Sequence, residues 1–246
     1  MSGRADTQLV RCRVDGGIAF VTLDRPPVNA LSLEMWNAFT TVLDGAVADD
    51  TVSVLVLSAA GERVFSAGMD TKEAAALTPE QTRARLRVVN AGLEKLHDLP
   101  LPIVCALNGT AVGGGLNIAA LCDHRIAADH AQFALNEIDH MRVAGGGAFL
   151  RRLGVPEGVL REMLFTGRRL SSAEALAAHI VDEVVPAAAL APRAAEVAAV
   201  VAAKPAGAAR LMKRAILAAE AETTWSAAHH AADIVAAPQP EKGERR

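Results

Sequence analysis

The stretch Gly109-Thr110-Ala111-Val112-Gly113-Gly114-Gly115-Leu116-Asn117 decides the fold of this chain. It follows an apolar run at residues 103–107 and precedes a helix-like run at residues 118–121. A strand that turns through consecutive glycines into a helix leaves backbone N–H groups at the positive end of the helix dipole. Such a turn suits the negative oxygen that develops on a bound carbonyl. Glycines also permit close packing of a strand against a helix, so the run alone leaves both interpretations open.

A lone acid, Glu137, lies 20 residues after Asn117 and follows the strand-like segment Gln132-Phe133-Ala134-Leu135. Together with an oxyanion cradle, one carboxylate indicates proton abstraction beside a carbonyl. The alternative is a solvated surface acid, since most acidic side chains lie in water.

Composition narrows the class of protein. The 246 residues are 51% hydrophobic, which is enough for the core of one large domain. A net charge of −3 gives no basic surface for nucleic acid, so we expect no such partner. Cys12, Cys105 and Cys122 have no CxxC spacing and predict buried, reduced thiols. Because neither a signal peptide nor an apolar run of about 20 residues is present, we expect a cytoplasmic protein without a membrane segment.

Strands and helices alternate over the first part of the chain. Asp15-Gly16 between two apolar runs predicts a hairpin, and Ser32 is placed to cap a helix that runs to about Ala48. A β-branched run at residues 52–58 predicts a buried strand, and residues 79–97 predict a helix. This alternation predicts an α/β fold of right-handed βαβ units around one sheet.

The composition changes towards the C-terminus. The pair Ser171 and Glu174 forms a capping-box pattern that opens a helix. Alanine-rich helical stretches then follow at residues 187–203, 205–221 and 223–236. We therefore divide the chain into an α/β core at residues 1–190 and a helical region at residues 191–246.

Four separate segments, in this order and spacing, resemble the crotonase family, the enoyl-CoA hydratase/isomerase superfamily. They are residues 23–31 (LDRPPVNAL), 65–70 (FSAGMD), 108–123 (NGTAVGGGLNIAALCD) and 166–176 (TGRRLSSAEAL). The resemblance implies a spiral of ββα units followed by a helical trimerisation region. It also implies a homotrimer or hexamer and acyl-CoA thioesters as substrates. No separate cofactor is implied, because coenzyme A is part of the substrate.

The resemblance also assigns residues to the site. The backbone N–H groups of Met69 and Gly114 are implied to hold the thioester oxygen. The remaining positions match segments that contact the substrate in the family: Ser66, Ala67, Gly68, Asp70, Thr71, Lys72, Gly113 and Gly145.

The number of carboxylates bears on the reaction. Hydratases of the family have two glutamates, whereas here Asn117 occupies the first position and only Glu137 is acidic. An amide cannot relay a proton, and losing one general acid or base typically lowers the rate by about 10²–10⁴-fold. Leu135-Asn136-Glu137 is similar to the neighbourhood of the single catalytic glutamate of Δ3,Δ2-enoyl-CoA isomerases. Isomerisation needs one carboxylate and no water.

Two other functions stay open. One is a hydratase or lyase in which Asn117 and Glu137 share a water, and the other is a CoA-ester binding protein with little catalysis. Asn117 itself can be a polar contact to substrate or a structural residue of its helix. We expect no metal site, because the adjacent residues Cys122-Asp123-His124 do not converge on one point.

Overall fold

The computed structural model describes residues 9–140, 143, 145–205 and 207–220. The strands of this part are β1 (Val10–Asp15), β2 (Ile18–Leu23), β3 (Val54–Ala59), β4 (Val64–Ser66), β5 (Ile103–Leu107), β6 (Thr110–Val112), β7 (His124–Ala128), β8 (Gln132–Ala134), β9 (Leu170–Ser171) and β10 (Glu183–Val185). Its helices are α1 (Leu33–Ala48), α2 (Thr71–Ala75), α3 (Pro79–His97), α4 (Gly114–Ala120), α5 (Gly147–Arg152), α6 (Glu157–Thr166), α7 (Ser172–Ala177), α8 (Ala187–Ala202) and α9 (Ala208–Glu220). A short 3₁₀ helix, Glu137–His140, follows β8.

Six strands form the larger sheet in the order β1-β2-β3-β5-β7-β10. The hairpin β1–β2 is antiparallel, and the other pairs are parallel. Parallel strands covered on both faces are continuous apolar runs, and β3 and β5 have this character. Helix α8 covers one face, where Leu190, Ala194 and Ala198 pack with Val54 and Val104.

The expectation of one sheet is wrong, because four short strands form a second sheet in the order β4-β6-β8-β9. In it β4 is parallel to β6, and β6 is parallel to β8. The carboxyl ends of parallel strands meet at one edge of a sheet. These three strands are followed respectively by Met69, Gly114 and Glu137, so the small sheet brings the three candidate catalytic positions to one edge.

The predicted helix starts are confirmed by their hydrogen bonds. The Ser32 side chain accepts from Met35 N at the start of α1. The reciprocal bonds of a capping box join Ser171 and Glu174 at the start of α7. The predicted bounds of α3 and β5 are also confirmed.

The proposed division between residues 190 and 191 falls inside α8. Because α8 packs on the larger sheet through residues on both sides of that point, this helix belongs with the α/β core. The division of the chain into a core and a helical region otherwise stays a prediction.

Helix α9 is attached to the core through cations. The buried Lys213 donates to Asp123, and Arg210 donates to the backbone carbonyls of Val47, Asp49 and Val52. Three large apolar side chains of this helix are exposed: Leu211 is 68%, Met212 66% and Ile216 47% exposed. The helix predicted at residues 223–236 lies outside the described residues.

Across the described ranges, we find no helix with the length and apolarity needed to cross a lipid bilayer.

Candidate active site

The loop after β4 is held in place by the segment between β2 and α1. Leu31 N donates to Gly68 O at 2.7 Å, and Asp70 N donates to Leu31 O at 3.3 Å. This is a parallel bridge between Leu31 and Met69. In this bridge the two hydrogen bonds go to the residues on either side of Met69. The N–H of Met69 itself therefore points away from Leu31.

Ser66 fixes the same loop from inside. Its fully buried hydroxyl donates to Asn29 O at 2.8 Å and accepts from Gly68 N at 3.1 Å. The Asn29 side chain is itself held by hydrogen bonds to the carbonyls of Ala60 and Val64. The conformation of the loop is therefore set by hydrogen bonds on both of its sides.

The second glycine loop, at residues 112–115, lies against the first. A methyl group added at Gly68 would lie 2.6 Å from Val112 O and 3.1 Å from Gly114 N. A methyl group added at Gly114 would lie 4.0 Å from Met69 N. Gly113 has a φ of +51° and donates its N–H to Ala134 O of β8, a conformation that a residue with a Cβ adopts only under strain. The backbone nitrogens of Met69 and Gly114 consequently lie close together.

The helix α4 begins at Gly114, earlier than the sequence indicated, and the short strand β6 separates it from β5. The expected passage from one strand directly into this helix is therefore wrong in detail. The strand before the glycines belongs to the small sheet, and the glycines themselves form the first turn of the helix.

Glu137 places its carboxylate over Gly113. A methyl group added at Gly113 would lie 3.1 Å from Glu137 Oε1. Within the described residues, Glu137 Oε2 is buried and has no hydrogen-bond partner. Burial raises the pKa of this carboxyl from its ordinary value of 4.5, and its own backbone N–H and the charge of His140 oppose the rise only in part. The alternative of a fully solvated surface acid is wrong.

Asn117 lies one helical turn after Gly113, whose carbonyl accepts the Asn117 N–H at 2.9 Å. Its side chain reaches Gly146, where an added methyl group would lie 1.8 Å from Asn117 Oδ1. Oδ1 is buried, and no described residue donates to it. The edge of the small sheet thus holds two adjacent backbone nitrogens, one carboxylate and one unpaired amide oxygen.

Comparisons with known proteins identify the family of this chain. The family model of enoyl-CoA hydratase/isomerase matches residues 13–243. The chain belongs to the enoyl-CoA hydratase/isomerase family. It is 38% identical over 185 residues to a carnitinyl-CoA dehydratase of Salmonella arizonae, covering 73% of this chain and 69% of that protein. The carnitinyl-CoA dehydratase of Escherichia coli K12 is 38% identical over 177 residues, covering 70% and 66% of the two chains.

Solved structures agree with the fold. An enoyl-CoA hydratase from Bacillus anthracis aligns with a TM-score of 0.82 at 32% identity, covering 92% of this chain and 90% of that one. An enoyl-CoA hydratase/isomerase from Xanthobacter autotrophicus Py2 aligns with a TM-score of 0.86 at 27% identity, covering 93% and 86%. The predicted crotonase-like α/β fold is confirmed, and the chain is an enzyme of this family.

The side chains of the other predicted substrate-binding residues differ in their hydrogen bonds and in their exposure to solvent. Asp70 caps α2 by accepting from Lys72 N and Glu73 N, and it pairs with Arg25 at 2.7 Å. These bonds hold the pKa of the Asp70 carboxyl below its ordinary value, and the hydrogen bond from Glu73 N has the largest effect. The Ser66 hydroxyl is occupied by its bonds to Asn29 O and Gly68 N, and the residue is fully buried. Ala67, Thr71 and Lys72 are exposed beside the site, and Gly145 adjoins Gly146. Their contact with substrate stays a prediction.

Sequence reasoning missed the support that α3 gives to the first loop. Arg85 is only 4% exposed, and it donates to Leu31 O at 2.8 Å and to Glu73 at 3.2 Å. Glu73 in turn accepts from Leu33 N. An arginine in an amphipathic helix is normally expected to be exposed to solvent, so the sequence carries no local signal for this contact.

Among the described residues no group of three or more His, Cys, Asp or Glu side chains is arranged to hold a metal ion. Cys12, Cys105 and Cys122 are buried thiols, and burial raises the pKa of Cys105. The expectation that the reaction needs neither a metal nor a separate cofactor stays a prediction.

Proposed function

We propose that this protein moves a double bond in an enoyl-CoA thioester from C3–C4 to C2–C3, with Glu137 as its only proton carrier. The carboxylate removes a proton from C2, and the C–H electron pair moves into the thioester carbonyl. The resulting dienolate oxygen is held by the N–H groups of Met69 and Gly114. Glu137 then returns the proton to C4, and the new double bond forms between C2 and C3.

The observation that carries this proposal is the position of one acid over the second glycine loop. Glu137 Oε1 lies beside Gly113, next to the backbone nitrogens proposed to hold the oxygen. Burial raises the pKa of Glu137, which makes its ionised form a stronger base. Asn117, which lies one helical turn after Gly113, carries an amide that cannot relay a proton.

A second candidate is the dehydration of a hydroxyacyl-CoA or the reverse hydration, in which Asn117 and Glu137 share the water. The relatives named carnitinyl-CoA dehydratase favour it. A protein that binds CoA esters without turnover is the third outcome of the experiment below.

The proposed assembly is a homotrimer or hexamer, as the resemblance implies. The proposed compartment is the cytoplasm, where buried thiols such as Cys105 and Cys122 stay reduced.

The test is turnover of a 3-enoyl-CoA and a 2-enoyl-CoA by the wild type and by Glu137→Gln. Gln keeps the shape of the side chain but cannot accept a proton, so we expect at least about a 10²-fold loss of isomerisation. Asp139→Asn, which changes an exposed acid on the same 3₁₀ helix, is the matched control and should keep its activity.

Each outcome separates the candidates. Faster turnover of the 3-enoyl ester supports isomerisation, faster water addition to the 2-enoyl ester supports the hydratase, and binding without turnover supports the third candidate. Near wild-type rates for Glu137→Gln on both esters would show that the single-base mechanism is wrong.

A further inference from the structure

Leu31 contacts both of the loops that carry the proposed oxyanion donors. Its backbone pairs with Met69 in the parallel bridge, and the residue is only 2% exposed. Its side chain lies against the other loop, because a methyl group added at Gly114 would lie 3.0 Å from Leu31 Cδ1. Leu31 therefore restrains Met69 through its main chain and Gly114 through its side chain, and the separation of the two N–H donors depends on where Leu31 lies.

The carbonyl of Leu31 is held more firmly by Arg85 than by the bridge itself. It accepts from Asp70 N at 3.3 Å and from Arg85 Nη2 at 2.8 Å. A carbonyl oxygen has two lone pairs and can accept both bonds, and a bond from a charged donor is the stronger kind. The guanidinium on α3 is consequently the main support of the Leu31 carbonyl.

The same guanidinium also reaches the helix that follows the first loop. Arg85 Nε donates to the Glu73 carboxylate at 3.2 Å, and Glu73 lies in α2, shortly after Met69. One planar group therefore bonds the protein at two points around Met69, at Leu31 across the bridge and at Glu73 along the chain. A lysine, with one terminal nitrogen, cannot reproduce this rigid fork.

An arginine is an unusual choice for a buried support. The side chain of Arg85 is 4% and that of Glu73 28% exposed. Arginine is almost never fully buried unless it is paired, and taking an ion pair out of water costs free energy. Replacing such a pair by apolar side chains of similar volume is often neutral or stabilising. The pair is therefore better explained by the geometry that it imposes on the first loop than by added stability.

We propose that Arg85 is a positioning residue that sets the separation of the two proposed oxyanion donors, Met69 N and Gly114 N. It acts through Leu31 and Glu73, to which its buried side chain is bonded. This inference rests on the proposed function, because it requires a thioester oxygen between the two donors.

The thioester carbonyl of a bound ester reports on both donors. Hydrogen bonds to a carbonyl oxygen lower its infrared stretching frequency, and the effect weakens as a donor moves away or loses its alignment. The probe is but-2-enoyl-CoA, isotopically labelled at the thioester carbonyl and bound to Glu137→Gln, in which turnover is suppressed. We expect a frequency below that of the ester in water. Adding Arg85→Met should reverse most of this shift.

Turnover by the otherwise wild-type chain gives the second measurement. Arg85→Met should lower kcat about tenfold and leave KM nearly unchanged, because the donors act mainly on the transition state. Loss of a whole donor lowers the rate by about 10²–10³-fold, so a displaced donor should have a smaller effect. Arg85→Lys keeps the charge but not the fork, and it should restore only part of the rate.

Arg87→Met is the matched control, because Arg87 is an exposed arginine on the same helix. It should keep both the carbonyl frequency and kcat.

A double variant separates positioning from simple support of the fold. Arg85→Met with Glu73→Gln removes both charges of the pair, and Gln keeps an oxygen that can accept from Leu33 N. We expect this protein to melt close to the temperature of its parent and still to show the lower kcat and the smaller carbonyl shift. It also provides the test if Arg85→Met alone does not fold, and Arg85→Lys provides it if neither folds.

The outcomes distinguish this inference from the proposal on which it rests. A lowered carbonyl frequency that is unchanged by the substitutions at Arg85 overturns the positioning role alone. A stable double variant with the kcat of the wild type overturns it as well. If the ester does not bind to Glu137→Gln, or keeps the frequency that it has in water, no oxyanion site is present at Met69 and Gly114. The proposed function and the positioning role are then overturned together.

Discussion

Glu137 is a carboxyl group whose surroundings oppose its charge. Burial raises its pKa above the ordinary 4.5, while the charge of His140 acts in the opposite direction. Because the proposed base must be ionised, we expect kcat/KM to fall as the pH drops through this raised pKa, at a pH above 4.5. The acid limb of the pH–rate profile measures it.

His140 provides the matched change for this profile. His140→Gln removes the positive charge that lowers the pKa of Glu137, so the acid limb should move to higher pH. A limb at or below pH 4.5, or one that does not move in this variant, would count against Glu137 as the base.

The same pKa predicts how stability depends on pH. A carboxyl whose pKa is raised in the folded state favours folding when it is protonated, below its unfolded pKa, and opposes folding as the pH rises through the folded pKa. Glu137→Gln should therefore raise the melting temperature at pH 8 relative to the wild type. At pH 4, where the wild-type group is largely protonated, the gain should disappear. An equal effect at both pH values would contradict the burial of a charged group here.

At the scale of the elements, the two glycine loops depend on the segment between β2 and α1. Ser66→Ala removes a buried hydroxyl that bonds Asn29 O and Gly68 N, so two backbone groups lose a partner. We expect a loss of about 1–3 kcal/mol in the free energy of unfolding, measured by urea denaturation. We also expect a lower kcat with an unchanged fold, because the position of Met69 N is then less restricted. A stability within experimental error of the wild type would show that the loop is held by other contacts.

The sequence predicted the long elements well, because their signals are local. The apolar run at β5, the hairpin around Asp15-Gly16 and the Ser32 cap of α1 each carry propensity or capping information within a few residues. The second sheet was missed. Its strands, such as β6 and β9, have three residues or fewer, so no alternation of polar and apolar residues can be recognised.

The residues of the candidate site were likewise predicted where their signals are local and missed where they are not. Glu137 and the two glycine loops were found from motifs, whereas the contact of Asn117 with Gly146 joins two helices that are distant in sequence. The buried Arg85 was missed because its partner Leu31 lies 54 residues away. Long-range hydrogen bonds of this kind depend on tertiary packing and leave no trace in local patterns.

At the scale of the whole molecule, helix α9 presents an apolar surface that no described residue covers. Leu211, Met212 and Ile216 are exposed on a helix that reaches the core through Lys213 and Arg210. Exposed apolar patches mark interaction sites, and the proposed homotrimer needs such a surface. We expect the double variant Leu211→Glu with Ile216→Glu to sediment as a smaller species than the wild type at micromolar concentration.

Arg214→Glu is the control for this test, since it changes the charge of the same helix at an exposed position. It should leave the sedimentation coefficient unchanged. A monomeric wild-type protein would remove the trimer proposal.

The placement of Met69 N and Gly114 N by the main chain has a consequence for inventories of functional residues. If these two amides activate the thioester, the groups that polarise the substrate are present whatever side chain stands at position 69. Alanine scanning would then report one indispensable polar residue, Glu137, and would not detect the two backbone N–H donors. Replacing a backbone amide by an ester, through a hydroxy acid incorporated at position 69 or 114, would delete the N–H donor. The change in turnover would then measure what that donor contributes.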